Sequence, residues 1–196
     1  NGNVDFPPFV QFAGRSPFLT PLKNLVIWGL GPALGVTAIG SVIAAALVLF
    51  RRRELTFLLP VAFAGAVFAF QGPRFVAFMR YFEPIYPVLC LLAAWALLEL
   101  WQRRSAPLQL PARIPARLRP APRVWTFVAT GTVLAVVGAT AFWALAFQSI
   151  YSHPHPRIAA SEWLYANALP GARITGEIWD DSLPYALPDR PNGTLR

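Results

Sequence analysis

Cysteine, histidine and acidic residues are scarce in this chain of 196 residues, which has one cysteine, two histidines and nine aspartates and glutamates. Cys90 has no partner for an intramolecular disulfide, and its place in an apolar run is typical of a packing residue. His153 and His155 lie two apart in HPHP, which is not a helical ligand spacing and indicates a linker. Glycine-rich phosphate loops, nucleophile elbows and Cys/His metal spacings are also missing, so none of these motifs indicates an enzyme class.

Charged residues are few: they make up 13% of the chain, whereas 56% of residues are apolar, and the mean hydropathy is +0.47. This composition excludes an ordinary soluble domain, and several long apolar runs predict a polytopic membrane protein. The net charge of +8 would suit nucleic acid, but the arginines lie in short loops between apolar runs. That pattern is a topology signal, so no nucleic-acid partner is predicted.

Four apolar runs predict four membrane-spanning helices inside a region covering residues 24–149. Their predicted ranges are 24–50, 55–71, 82–101 and 124–148. The first is longer than a bilayer core of roughly 30 Å requires. It is therefore tilted, or broken at WGLGP (28–32), where Gly31 and Gly35 also have a spacing that permits close helix contact.

Basic residues set the predicted orientation. RRRE (51–54) and the proline-rich linker 102–123 hold nine of the 17 lysines and arginines. The positive-inside rule places both loops in the cytoplasm. The interfacial loop 1–23, the loop before the third span and the tail 150–196 then lie outside. Glu99 and Arg103, at i and i+4, are predicted to pair at the cytoplasmic surface.

The tail has the composition of a folded polar segment. PRIAASEWLYANALPG predicts a helix that begins near Pro156 and ends before Gly171, and 172–178 predicts a strand. The predicted fold is therefore mainly α: a transmembrane bundle of about four helices with a small extracytoplasmic α/β tail. The chain starts at Asn1 and its tail is short, so we expect it to be a piece of a longer protein.

RYFEPIYP (80–87) is the most unusual polar stretch, because it sets charge and two prolines at the mouth of a span. Two readings stay open for Arg74 and Arg80: interfacial anchors within an aromatic belt, or phosphate ligands through their guanidinium forks. Glu83 is predicted to pair with Arg80, with a general base as the alternative. In the tail, the acidic cluster fits a solvated turn, an acceptor-binding site or, last, a metal site; its members are Glu177, Asp180 and Asp181.

Three stretches resemble a known family. FMRYFEPIYPVLCLLAAWAL, FVQFAGRSPFLTPLKNLVIWGLGPALG and HPRIAASEWLYANALPGARITGEIWDDSLP are similar to the C-terminal membrane half of GT-C glycosyltransferases. The likeness is to the protein O-mannosyltransferase and aminoarabinose-transferase clan, or to the related YYY-type prokaryotic membrane proteins. It implies an inverting transfer of sugar from a polyprenyl-phosphate donor to an unidentified acceptor, on the outer face of a prokaryotic plasma membrane.

The same resemblance implies roles for particular residues. Arg80 would contact the donor phosphate together with Arg74, and Tyr81 would shape that pocket. A divalent metal is possible and not required, and no other cofactor is implied. The family's catalytic acid lies in an early outer loop that this sequence does not contain, and Asp5 is not a credible substitute. A transporter or flippase subunit, or a non-catalytic membrane module, is the alternative function.

Overall fold

The computed structural model describes residues 12–106, 121–169, 171–176 and 182–189, which belong to two compact units, 1–144 and 145–196. These described residues are mainly helical and contain no β-strand. The α-helices are α1 (Leu19–Asn24), α2 (Pro32–Arg52), α3 (Leu58–Gln71), α4 (Tyr86–Gln102), α5 (Pro122–Gln148) and α6 (Pro156–Asn167). A π-helical turn, Leu25–Gly29, follows α1, and 3₁₀ turns occupy Leu55–Phe57, Met79–Ile85, Arg103–Ser105 and Ser149–Ser152.

Three helical segments are long and apolar enough to cross a membrane. They are Pro32–Arg52, Met79–Ser105 and the segment from Pro122 that contains α5. The predicted second span, 55–71, is also an apolar helical segment, but it is shorter than these three. It consists of a 3₁₀ turn of three residues followed by the 14 residues of α3. No part of the apolar window in the segment that contains α5 is buried, although Ala129 of α5 is buried and the Trp143 ring contacts that of Trp28.

The first predicted span is broken at WGLGP, which was one of the two predicted solutions. The π-helical turn ends at Gly29, Gly31 has a φ of +79°, and α2 starts at Pro32. Glycine adopts a positive φ without steric cost, and proline suits the first helical turn because its missing N–H has no partner there. The remaining helix of 21 residues is about 31 Å long, which matches a bilayer core.

Helix α2 packs on α4 through a stripe of small residues. Its buried positions repeat every three or four residues and are Gly35, Ala38, Ser41, Ala45 and Leu49. Facing them, α4 buries Leu89, Leu92 and Ala93. Small side chains let helix backbones approach closely, which is the main source of helix association where lipid replaces water.

Glycine also seats the π-helical turn on α2. A Cβ on Gly35 would meet the carbonyl oxygen of Val26, so the backbone of the turn lies directly against the helix.

Cys90 is exposed on α4, so its predicted packing role was wrong.

Local bonds hold the turn after α4 to the end of α4 and to the start of α5. Arg103 and Glu99 form the predicted ion pair. The Trp125 Nε1 donates to the Arg103 carbonyl at 3.1 Å, and the Thr126 hydroxyl donates to the Arg104 carbonyl at 2.9 Å. The start of α5 thereby bonds to carbonyls of the turn after α4, of which the Arg103 carbonyl also accepts from the Ala106 amide at 3.1 Å.

In the second unit, the predicted helix is present and the predicted strand is wrong. Residues 172–176 have irregular backbone, and no α/β arrangement exists among the described residues of the tail. A strand gains its stability from neighbouring strands, and the described tail supplies none. Residues 182–189 instead contact α6: the Tyr185 amide donates to the Ser161 hydroxyl at 2.8 Å, and the Tyr165 hydroxyl donates to the Tyr185 carbonyl at 2.9 Å. His155 caps α6, accepting at Nδ1 from the Arg157 amide.

Candidate functional site

The RYFEPIYP stretch lies where a loop enters α4. Met79–Ile85 is a 3₁₀ turn, and α4 begins at Tyr86 with a proline in its first turn. Pro84 has no N–H to donate, and its ring would clash with the preceding turn of an α-helix, so the chain tightens before α4 starts. Two side chains of this turn, Phe82 and Ile85, are buried in the hydrophobic core, since each is only 2% exposed.

Arg80 and Arg74, the predicted phosphate ligands, both lie over aromatic rings. The Arg80 Cζ is 4.8 Å from the centroid of the Phe78 ring and 5.6 Å from that of Tyr81. The Arg74 Cζ is 4.1 Å from the Phe70 centroid. Both arginines are exposed. A guanidinium above a ring keeps its in-plane N–H donors for other ligands, so this geometry suits an interfacial anchor and a phosphate ligand equally.

Tyr81 and Glu83 differ in their environments. Tyr81 is half-buried against the core and meets Phe78 edge to face, with ring centroids 5.7 Å apart. Glu83 is exposed and forms no ion pair with Arg80, so the predicted pair was wrong. The Arg80 guanidinium packs on rings instead, and an exposed ion pair contributes too little to hold it elsewhere.

Arg15 belongs to the same region and was missed by sequence reasoning. Its Nη1 donates to the Ala77 carbonyl at 3.5 Å, and its Cζ lies 5.6 Å from the Phe12 centroid. Its Nη2 is buried without a hydrogen-bond partner, as is the Oε1 of Gln71. Burial lowers the pKa of Arg15 from its ordinary value. The available signal was an arginine within an aromatic, proline-rich loop.

Ring contacts and one backbone bond join the loop before α1 to the loop after α3. The Phe12 ring meets Phe75 and Phe78 at centroid distances of 6.4 and 4.9 Å. The Phe18 amide donates to the Gly72 carbonyl at 3.0 Å. Arg15, far from the other two in sequence, therefore lies with Arg74 and Arg80 on one end of the helices, which we call the outer end.

An apolar groove of about 190 Å³ runs between α2, α3 and α4. Every lining residue is apolar: Leu22, Leu25, Ile39, Val42, Ala64, Gly65, Phe68, Ile85 and Leu89. The groove reaches the outer end, because Ile85 ends the 3₁₀ turn that carries Arg80 and because the Phe68 ring lies 6.0 Å from that of Phe82. The arrangement can accommodate an apolar chain beside cationic side chains.

The predicted acidic cluster of Glu177, Asp180 and Asp181 lies outside the described residues. Within residues 12–106, 121–169, 171–176 and 182–189, no group of three or more His, Cys, Asp or Glu side chains could hold a metal ion.

Comparison with protein-family models, with curated proteins and with solved structures finds no match for this chain. The likeness to GT-C glycosyltransferases therefore stays a resemblance carried by three short stretches.

Proposed function

We propose that this chain is part of a multi-pass GT-C-like glycosyltransferase of a prokaryotic plasma membrane. It would move a sugar from a polyprenyl-phosphate donor to an acceptor on the extracytoplasmic face. The observation that carries the proposal is an apolar groove lined by Ile85, the last residue of the turn that also carries the exposed Arg80. A lipid-linked phosphate combines the same two features, an apolar chain and an anionic head.

In this proposal, α2, α3, α4 and α5 each cross the membrane. The arginine-rich ends of α2 and α4 lie in the cytoplasm by the positive-inside rule, which puts the outer end on the extracytoplasmic side. The groove between α2, α3 and α4 would then be open to the bilayer, and an isoprenoid tail enters it sideways without crossing water. Gly65 lines this groove, and a Cβ there would have no atom within 4 Å.

The donor phosphate would lie at the outer end, with Arg80 and Arg74 as its ligands and Tyr81 beside it. Arg80 and Arg74 are exposed and lie over rings, which leaves N–H donors for the bidentate hydrogen bonds that guanidinium groups make to phosphate. The unpartnered Nη2 of Arg15 adds a third cationic group to this end.

The reaction would be direct displacement at the anomeric carbon. The acceptor oxygen forms a bond to that carbon while the bond to the phosphate oxygen breaks and its electron pair stays on the leaving phosphate. Guanidinium groups stabilise this developing charge most in the transition state. A base takes the acceptor proton, and Glu83, exposed in the same turn and unpaired with Arg80, is available to contact the acceptor. No step in this scheme requires a metal ion.

The test is binding of a fluorescent polyprenyl phosphate to the purified chain in detergent. Gly65→Leu would narrow the groove and Arg80→Gln would remove a charge-assisted hydrogen bond, and we expect each to weaken binding about tenfold. Gly138→Leu and Arg51→Gln are matched controls: Gly138 is equally open, on α5, and Arg51 lies at the opposite end of α2. Unchanged binding in both Gly65→Leu and Arg80→Gln would overturn the proposal.

A further inference from the structure

A second cavity, of about 370 Å³, lies at the arginine-rich end of the same helices. It is bounded by the end of α2, the 3₁₀ turn Leu55–Phe57 and the second half of α4. Its polar lining comes from Arg52, Glu54, Glu99 and Arg103, and its apolar wall includes Phe57 and Trp95. We call it the basal pocket, and none of its residues belongs to the outer end or to the apolar groove.

The basal pocket is lined by two arginines and two glutamates, and it is the net positive charge of the segments around it that favours an anion. The flanking segments 51–54 and 99–105 contain five arginines and two glutamates. Glu99 is already paired with Arg103, whereas Arg52 is exposed and makes no ion pair with a described residue. An arginine has five N–H donors, so pairing with one carboxylate leaves Arg103 able to bind a second anion.

The apolar wall indicates that this anion belongs to an amphiphile. The Phe57 and Trp95 ring centroids lie 4.7 Å apart, with the rings tilted by 57°, and both rings line the pocket. A free inorganic anion gains nothing from such a surface, whereas a phospholipid places its glycerol and first acyl carbons beside its phosphate. The pocket also lies at the end of helices long enough to cross a membrane, which is the depth of the lipid headgroups.

We propose that the basal pocket binds the headgroup of an anionic phospholipid, with Arg52 and Arg103 donating to the phosphate and Phe57 and Trp95 contacting the glycerol backbone. Arginine clusters at the cytoplasmic ends of membrane helices attract such lipids, and guanidinium groups bind phosphate with directional hydrogen bonds. The site shares no residue with the proposed transferase site, so either proposal can fail without the other.

Competition binding on the full chain in detergent tests this proposal, with a fluorescent phosphatidylglycerol as probe. Each lost arginine is expected to weaken binding about fivefold, so the double variant Arg52→Gln/Arg103→Gln should weaken it on the order of 30-fold. The matched control Arg51→Gln/Arg53→Gln removes the same charge from the same end without touching the pocket, and about a threefold loss is expected from the weaker general field. Equal losses in the two double variants would show a diffuse surface effect and overturn the pocket.

Two further arms separate the possible ligands and guard against misfolding. Unlabelled phosphatidylglycerol should displace the probe, whereas phosphatidylcholine and inorganic phosphate should not. Displacement by inorganic phosphate at similar concentration would mean that the pocket recognises free phosphate, and the lipid assignment would be wrong. Arg52→Gln alone keeps the Arg103 and Glu99 pair, so its fivefold loss should appear in a chain with unchanged far-UV circular dichroism.

Discussion

Two glycines of α2 allow one substitution to be compared in two environments. Gly35 is buried against the π-helical turn, and a Cβ there would meet the Val26 carbonyl oxygen, with the Val26 Cα at 2.7 Å. Gly40 lies one and a half turns further along the same helix, and a Cβ there would have no atom within 4 Å. Gly35→Ala and Gly40→Ala therefore differ only in what the added methyl group meets.

The expected magnitudes follow from these contacts. Both changes gain about 0.5–1 kcal/mol from helix propensity, because alanine loses less backbone entropy than glycine. Gly35→Ala also overpacks the interface, which costs about 1–3 kcal/mol, since the atoms met are backbone and cannot rotate away. We therefore expect Gly40→Ala to be the more stable variant by about 1–3 kcal/mol.

Denaturant unfolding of both variants in one detergent, followed by far-UV circular dichroism, measures this difference. Gly35→Ala should also weaken polyprenyl phosphate binding, because shifting the π-helical turn moves Leu25, which lines the apolar groove. If Gly35→Ala proves as stable as Gly40→Ala, the turn does not rest on α2 as described, and the argument for a preformed groove loses its basis.

Three other changes test separate parts of the structure. Arg53 ends α2 with a φ of 59°, so Arg53→Gly should raise the unfolding free energy by about 1 kcal/mol, and a thermal melt that is unchanged or lower would refute strain there. Ser161→Ala removes the buried hydroxyl that accepts from the Tyr185 amide, so hydrogen exchange at that amide should accelerate by one to two orders of magnitude, corresponding to about 1–3 kcal/mol. Thr126→Val removes the hydroxyl that donates to a carbonyl of the Arg103–Ser105 turn and should lower the free energy of unfolding by about 1 kcal/mol. The control Thr140→Val removes only a hydrogen bond within α5. Equal losses of thermal stability in the two variants would contradict a stabilising contact between α5 and the turn after α4.

Local sequence features predicted most of the helical segments. Long uncharged runs can satisfy their backbone groups in lipid only as helices, which is why the ranges 82–101 and 124–148 agree closely with α4 and α5. The break at WGLGP follows from a glycine with positive φ beside a proline, and the Glu99–Arg103 pair follows from helical spacing alone.

Features that depend on distant partners were predicted poorly. The strand over 172–178 was inferred from β-propensity, which expresses packing against neighbouring strands, and residues 172–176 have none among the described residues. The Arg80–Glu83 pair was inferred from spacing, but Phe78 and Tyr81 offer the guanidinium a ring surface that spacing does not reveal.

The sequence by itself determined that this chain forms apolar helices, where the first of them could break, and which loops carry positive charge, because these properties depend on neighbours within one or two turns. Only the tertiary structure decided that Arg15 joins Arg74 and Arg80 at the outer end, that α2, α3 and α4 leave an apolar groove between them, and that Arg52 and Arg103 share a pocket. Each of these three features brings together residues separated by dozens of positions. Such contacts depend on which helix faces pack together.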